Sequence, residues 1–376
     1  MSRECLVATA LLLISVLTGC SPDDPVFHAD ERPLRLSEWK LFTLTDSALT
    51  PNPASLRIAP ANSLFSDYAH KLRTLWIPPG SSIQWNDKEL EYPVGTILSK
   101  TFYYPRAGNN KLQLSLDTSN LESLSLIENR LLETRLLVRK TTGWDAFPYV
   151  WNDTQTEAFL RVAGSRIPVT LQSDNTELSF NYFVPNENQC SGCHQTEHPD
   201  GGMHPLGAIA SQLNHAMPFR NTTEMNQLEK IKMNGWLDSL PELQALPVWT
   251  DATQTIDLRA RAYLDINCGH CHNPKGPADT SALLLDGFNR SLHDMGQCKP
   301  PVAAGGGSGN RRFGIVPGQA DQSILLFRMQ SDNPGSMMPE LGRSLVHREG
   351  VDLVRTWINQ LSGGCGQAAT DGIPAQ

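Results

Sequence analysis

Cys190-Ser191-Gly192-Cys193-His194 and Cys268-Gly269-His270-Cys271-His272 are two copies of one pattern, Cys-x-x-Cys-His, in a chain of 376 residues. Two thiols at this spacing can each add to one vinyl group of a haem, and the adjacent histidine is placed to ligate the iron. The sequence therefore predicts two covalently attached haems. The four motif cysteines are the predicted attachment sites, and His194 and His272 are the predicted proximal iron ligands.

Other uses of paired cysteines explain this pattern less well. A zinc ribbon has two Cys-x-x-Cys pairs about 15–20 residues apart, whereas 74 residues lie between Cys193 and Cys268. A thioredoxin-like redox pair would need a βαβ context and would not need the trailing histidine. Disulfides within each pair would also leave two histidines in identical places unexplained. Zinc and redox chemistry remain the alternatives to haem.

A methionine is the predicted sixth ligand of the second iron. Residues 255–266 have helical periodicity and run directly into Cys268, as the motif-bearing helix does in a cytochrome c. Further along the chain Met337 and Met338 precede Pro339. We predict Met338 as the ligand because proline usually follows the distal methionine of c-type cytochromes, and Met/His ligation raises the reduction potential. The alternative is that both methionines fill the core.

The sixth ligand of the first iron stays open. The first motif follows a β-like segment, 178–184, rather than a helix. Met217 precedes Pro218 and His204 precedes Pro205, which makes these two side chains the leading candidates. The other candidates are His198, Met203, His215 and Met233. Any of them could instead be a surface histidine or a packed methionine, and a five-coordinate iron is a further alternative.

The N-terminus predicts export and lipidation. Arg3 precedes an apolar run over residues 6–17, which is too short to span a membrane and resembles a secretory signal. The residues that follow end in a lipobox-like Leu-Thr-Gly-Cys, in which Cys20 would be acylated and become the mature N-terminus. We predict a signal peptide over 1–19 and a lipidated N-terminus with a tether over 20–35. Ser21 favours the outer membrane, on its periplasmic side; an ordinary signal peptide is the alternative.

The net charge and the number of cysteines restrict the class of partner and the cellular compartment. A net charge of -8 without a Lys/Arg cluster argues against a nucleic-acid partner. Of the eight cysteines, Cys5 leaves with the signal, Cys20 is the predicted lipid site and four lie in the motifs. Cys298 and Cys365 remain, and in an oxidising compartment this pair is predicted to form a disulfide.

Periodicity divides the chain into a β-rich part and a helical part. Over 36–185, short apolar runs are broken by Pro, Gly, Asn and Asp, which predicts an antiparallel, sandwich-like β domain. The clearest predicted strands are 74–77, 96–104, 111–116, 133–140 and 177–184. The clearest predicted helices are 224–236, 255–266, 321–330 and 349–361.

The domain prediction follows from this division. We predict a first haem region over 186–250, a second haem domain over 251–365 and a disordered tail over 366–376. The fold class is therefore α+β with several domains, in which the two-haem region is mostly α and cytochrome c-like.

Further stretches carry a resemblance to a known family. They are VPNENQC at 184–190, residues 259–274, CKPPV at 298–302, MPELGR at 338–343, and Trp144 with residues 149–152 in the β half. Together they resemble a family of bacterial diheme c-type cytochrome lipoproteins, over nearly all of the mature chain. The resemblance implies an N-terminal β domain ahead of a two-haem region, and electron transfer with other redox proteins of the cell envelope.

Three hypotheses of function follow. The first is an electron carrier, which has no catalytic residues and uses its haems to pass single electrons. The second is a diheme peroxidase or oxidase, whose first haem keeps an open face with His204 or Glu197 as the acid/base group above it. In the third, the β half is a binding module that docks a partner redox protein.

Overall fold

The computed structural model describes residues 24–108, 111–116, 121–173, 176–195, 197–220, 224–302 and 304–366. The predicted signal peptide (1–19), the predicted lipidation site Cys20 and all of the predicted tail (366–376) except Gly366 lie outside these residues. Within the described part of the chain, no helix has both the length and the apolar character needed to cross a membrane.

Strands occupy the first part of the chain. In chain order they are β1 (Phe42–Leu44), β2 (Ala48–Pro51), β3 (Leu56–Ile58), β4 (His70–Trp76), β5 (Gln84–Trp85), β6 (Leu90–Glu91), β7 (Ile97–Pro105), β8 (Leu112–Gln113), β9 (Leu124–Ser125), β10 (Asn129–Lys140), β11 (Gly143–Trp151), β12 (Ala158–Leu160), β13 (Ser165–Ser173), β14 (Thr176–Val184), β15 (Ala216–Met217) and β16 (Met225–Asn226). Nearly all neighbouring strands run antiparallel, and the pairing of β13 with β8 is parallel.

A six-stranded sheet, in the order β12-β11-β10-β7-β4-β3, is the centre of the β part. Side chains alternate between its two faces. Ile97 and Tyr103 of β7 face a core built around Trp39, which is fully buried. Leu98 faces the other way, into a core shared with residues 208–237 of the C-terminal part. The central sheet therefore supports both halves of the molecule.

Two three-stranded sheets flank the central one, in the orders β1-β2-β9 and β14-β13-β8. Val169, Leu171 and Tyr182 of the second sheet pack against Phe102 and Tyr104 of the central sheet. The prediction of an antiparallel β architecture for the N-terminal half is thus confirmed.

Helices begin after the last long strand. They are α1 (Glu187–His194), α2 (Ala210–Leu213), α3 (Gln227–Met233), α4 (Ile256–Leu264), α5 (Ile324–Gln330) and α6 (Arg348–Gln360). A π-helical turn, Asp265–Gly269, continues α4, and short 3-10 turns lie at Leu36–Trp39, Asp279–Ser281, Gly305–Ser308 and Ala320–Gln322.

The prediction of a mostly α C-terminal region is not supported. These helices are short, and turns and irregular segments separate them. Proline explains much of this, because it lacks the amide N–H that a helix interior needs. Pro241 and Pro247 lie between α3 and α4, and Pro274, Pro277 and Pro300 lie between α4 and α5.

Helices α4 and α6 nevertheless pack closely against each other. Trp357 of α6 is buried and donates from Nε1 to Oδ1 of Asp257 in α4 at 2.8 Å. Gly350 of α6 lies against the ring of Tyr263, where an added Cβ atom would come within 2.1 Å of the ring. Glycine at this position therefore allows the two helices to approach each other.

Cys298 and Cys365 form a disulfide, with 5.0 Å between their Cα atoms. The bond connects the segment after α6 to a loop 67 residues earlier in the chain. Replacing both cysteines with serine is expected to lower the free energy of unfolding by on the order of 4 kcal/mol, because the unfolded chain gains loop entropy. Urea unfolding of the variant and the parent protein measures this difference. Two titratable thiols in the denatured, unreduced parent protein would contradict the prediction.

Contacts between the β part and the segment before α6 are polar and buried. The Asp67 carboxylate accepts hydrogen bonds from the backbone N–H of Ser344 at 2.7 Å and of Leu345 at 2.7 Å. Nearby, Phe65 stacks on His347 with 4.2 Å between the ring centroids. These contacts attach the segment that follows Met338 to the loop between β3 and β4.

Burial raises the pKa of Asp67 to about 6, although two backbone hydrogen bonds and Arg343 lower it. Between pH 4 and 6 the folded protein keeps a proton here that the unfolded chain releases, so stability falls as pH rises through this window. The loss attributable to Asp67 is on the order of 3 kcal/mol. We expect urea unfolding at pH 4 and pH 7 to show a smaller loss in Asp67→Asn than in the parent protein. Equal losses in the two proteins would argue against this prediction.

Candidate functional site

One cavity brings the two Cys-x-x-Cys-His motifs together. It lies between the central sheet and the C-terminal part and contains about 1690 Å³ of empty space, including its solvent-open mouth. Its lining includes three side chains of the first motif and two of the second: Cys190, Cys193, His194, Cys268 and His270. The cavity therefore contains groups of both motifs, although Cys271 and His272 are not among the described residues that line it.

The cysteines and histidine of the first motif lie on a short helix directly after β14. Asn186 caps α1, because its Oδ1 accepts from the N–H of Gln189 at 2.8 Å while its own N–H donates to Gln189 Oε1 at 3.0 Å. Residues three and four apart lie on one face of a helix. Cys190, Cys193 and His194 therefore point to the same side, which is the cavity.

The His194 ring is held by a backbone carbonyl. Its Nδ1 lies 2.7 Å from the carbonyl oxygen of His204. A carbonyl can only accept, so Nδ1 carries the proton and the lone pair is on Nε2. Burial, reinforced by the charge of Lys100, lowers the pKa of His194 to about 4, so the ring is neutral at pH 7. Such an arrangement is typical of metal-ligating histidines.

The second motif follows α4 and its π-helical turn, and the His272 ring is also held by hydrogen bonds. Its Nδ1 lies 3.2 Å from Ser281 Oγ, whose hydroxyl donates to the Ala278 carbonyl at 2.7 Å. Burial lowers the pKa of His272 to about 4, and a hydrogen bond with the Leu283 backbone opposes this shift. Unlike His194, His272 is not among the described residues that line the cavity.

The motif cysteines are unpaired, and one cysteine of the second motif lies against the first motif. Cys190, Cys193, Cys268 and Cys271 are the free cysteines of the described chain. Cys271 Sγ lies 3.6 Å from the carbonyl oxygen of Gly192, the residue before Cys193. The two motifs therefore contact each other at Cys271.

Met338 lines the cavity, and Met337 is not among the described residues that do so. The backbone of Met338 is fixed on both sides. Its N–H donates to the Arg328 carbonyl at the end of α5 at 2.9 Å, and its carbonyl accepts from Arg343 Nε at 3.1 Å. Of the two neighbouring methionines, Met338 is therefore the one placed to reach a ligand in the cavity.

The predicted candidates for the sixth ligand of the first iron lie elsewhere. Met217 is buried in the core beneath the central sheet, with Leu213 and Phe219. His204 uses its backbone to hold His194, and His215 bonds the Ala59 carbonyl at 2.9 Å. The remaining candidates are His198, which is exposed, Met203, which packs against the core, and Met233, which is exposed. None of the six lines the cavity in the described chain.

The cavity is lined by other side chains, which no sequence motif marks. Arg73, Lys100 and Arg135 come from three neighbouring strands of the central sheet. Met329 of α5 and His347 also line the cavity. Both nitrogens of the His347 ring are engaged, with Tyr263 Oη at 3.0 Å from Nδ1 and Glu349 Oε2 at 3.5 Å from Nε2. No local signal marks these residues, because they meet the motifs only through the fold.

The described residues contain no group of three or more His, Cys, Asp or Glu side chains that could hold a bare metal ion.

A comparison of the chain with protein families, with curated proteins and with solved structures found no match.

Proposed function

We propose that the protein is an exported diheme c-type cytochrome that carries electrons in the bacterial cell envelope. The observation that carries this proposal is the state of the two motif histidines. The Nδ1 atom of each lies within hydrogen-bond distance of an oxygen, and burial lowers the pKa of each to about 4, so both rings are neutral at pH 7. Beside each histidine lie two free thiols. Covalent haem attachment with histidine ligation needs this set of groups.

The residues of the cavity fit such a group. Cys190, Cys193 and Cys268 line the cavity as free thiols beside His194, and Met338 supplies a thioether in the same space. When bound, haem supplies one-electron chemistry, whose potential the protein sets through axial ligands and burial. The contact between Cys271 and Gly192 supports electron exchange between the two sites, because it brings the two motifs together.

We also infer that the cytochrome c-like part of the chain is its set of three packed helices rather than a mostly α region. Helix α4 leads into the second motif, α5 precedes Met338, and α6 packs against α4 and α5. In this proposal lipidation at Cys20 anchors the carrier to a membrane, with the periplasmic side of the outer membrane favoured. Its partners are envelope redox proteins, which act as electron donor and acceptor.

The peroxidase or oxidase alternative has less support. Its candidate acid/base groups were Glu197 and His204. Glu197 is exposed and pairs with Lys275 at 2.6 Å, and neither residue is among the described residues that line the cavity. An acid/base group must lie within hydrogen-bond reach of the proton it transfers.

The test is to purify the protein from a host that attaches haem c and to count haem per chain. We expect haem-linked staining after denaturing electrophoresis, two haems per chain by absorbance, and spectra of the oxidised and reduced protein that report each iron's coordination. A chain that carries no haem and binds zinc through its thiols would overturn the proposal.

A further inference from the structure

A row of cations crosses the cavity side of the central sheet. Arg73 of β4 lies directly opposite Lys100 of β7, and Lys100 lies directly opposite Arg135 of β10. All three line the cavity. Like charges opposite each other destabilise a sheet. A cation in such a row is therefore stabilised by a nearby anion.

The protein supplies that partner to Arg135. Glu133 is fully buried and binds the Arg135 guanidinium through both carboxylate oxygens, at 2.8 and 2.5 Å. The Tyr182 hydroxyl donates to the same carboxylate at 2.8 Å. Glu133 is therefore paired with Arg135, at one end of the row.

Lys100 has no such partner among the described residues. Its contact is with the ring of Phe102, whose centroid lies 5.2 Å from Nζ. Burial, then the charges of Arg135, Arg73 and Lys71, lower the pKa of Lys100 to about 7, and Glu133 opposes this shift. Lys100 is only partly exposed, and an ammonium in such a position among other cations is unfavourable unless an anion joins it.

The surroundings indicate what kind of anion would bind. The neighbouring wall of the cavity is apolar, with Leu98 and Leu137 on one side of the row and Ile58 and Pro148 at its two ends. A ligand that fills this space needs a large apolar body and an anionic group. Cys190, Cys193 and His194 of the first motif line the same cavity as the row, whereas His272 of the second motif is not among its described lining residues. The row therefore belongs to the first site.

We propose that Lys100, flanked by Arg73 and Arg135, binds the propionate carboxylates of the haem attached at the first motif. This inference rests on the proposed function. It gives the β part a role in that function, because the central sheet then forms the wall that receives the acidic edge of the group. Lys100 is in this sense a positioning residue and not an iron ligand.

The test compares Lys100→Met and Lys100→Arg with Lys88→Met, which removes an exposed lysine from the turn between β5 and β6. The potentials of both haems are measured by redox titration, and propionate bands by resonance Raman spectroscopy. We expect Lys100→Met to keep two covalent haems, to lower the potential of the first haem and to shift a propionate band. The potential falls because loss of a nearby cation favours ferric over ferrous iron. Lys100→Arg and Lys88→Met should keep both properties near those of the parent protein.

Three results would overturn the inference while leaving two haems in place. One is an unchanged first potential and unchanged propionate bands in Lys100→Met. Another is a change of spin state in that variant, which would make Lys100 an iron ligand. The third is a first potential that depends on added phosphate in the parent protein but not in Lys100→Met, which would show that the row binds a free anion. Absence of haem from the parent protein would instead refute the proposed function.

Discussion

Replacement of Cys190 and Cys193 together with alanine is expected to remove one haem per chain and to leave the other attached. Each haem depends on its own pair of thiols, and the second pair lies on a different element, after α4. Haem absorbance per chain should therefore fall by half, and haem-linked staining should persist. The matched variant, Cys268→Ala with Cys271→Ala, should keep the first haem instead.

The reduction potential of the remaining haem is expected to change when the other haem is lost. Because Cys271 contacts Gly192 of the first motif, we expect removal of one haem to open the other site to water. Water stabilises the charged ferric form, so the potential of the remaining haem should fall. If either double variant loses both haems while it stays folded by circular dichroism, the two sites are not independent. If either retains both, the motifs are not the attachment sites.

The positions of many strands and helices can be predicted from the sequence, because their periodicity is local. The predicted strand 96–104 corresponds to β7, and the predicted helix 349–361 corresponds to α6, each shifted by one residue. β11 and β13 are not among the clearest predicted strands. Each contains a proline, Pro148 or Pro168, and proline argues against a strand interior. In β11 the burial of Phe147 and Tyr149 outweighs that effect.

The candidate site likewise combines residues that a local motif marks with residues that only the fold brings together. The motif residues are contiguous, so their chemistry can be recognised from five letters. Arg73, Lys100 and Arg135 are far apart in sequence, and only the strand register places them in one row. Lys100, for example, lies between Ser99 and Thr101, as an ordinary solvated strand residue can. Which face of the sheet meets the motifs depends on long-range packing, which periodicity does not determine.

The hydrogen-bond partners of the motif histidines could not be predicted from the sequence either. His204 was a candidate sixth ligand because proline follows it, but its backbone carbonyl holds the ring of His194. Ser281 has the same role for His272, and no motif marks it. These partners follow from how each loop folds back on its motif.

Replacement of Met338 is expected to change the second haem more than any other single substitution outside the motifs. A thioether in the sixth position favours ferrous over ferric iron, so its loss lowers the potential. Met338→His should keep six ligands and lower the potential of the second haem. Met338→Ala should open a position at which carbon monoxide binds to the reduced protein. Absorption spectra, carbon monoxide titration and redox titration measure these changes.

Met337→Ala is the matched control, because it removes the same side chain one residue earlier. Met337 does not line the cavity in the described chain, so this variant should keep the potentials and the spectrum of the parent protein. The Met338 backbone is hydrogen-bonded to Arg328 and Arg343, which favours retention of the loop when the side chain is shortened. If Met337→Ala disturbs the second haem and Met338→Ala does not, the assignment is wrong by one residue. If neither substitution has an effect, the second iron takes its sixth ligand from another residue of the cavity, and Met329 of α5 is then the next thioether to replace.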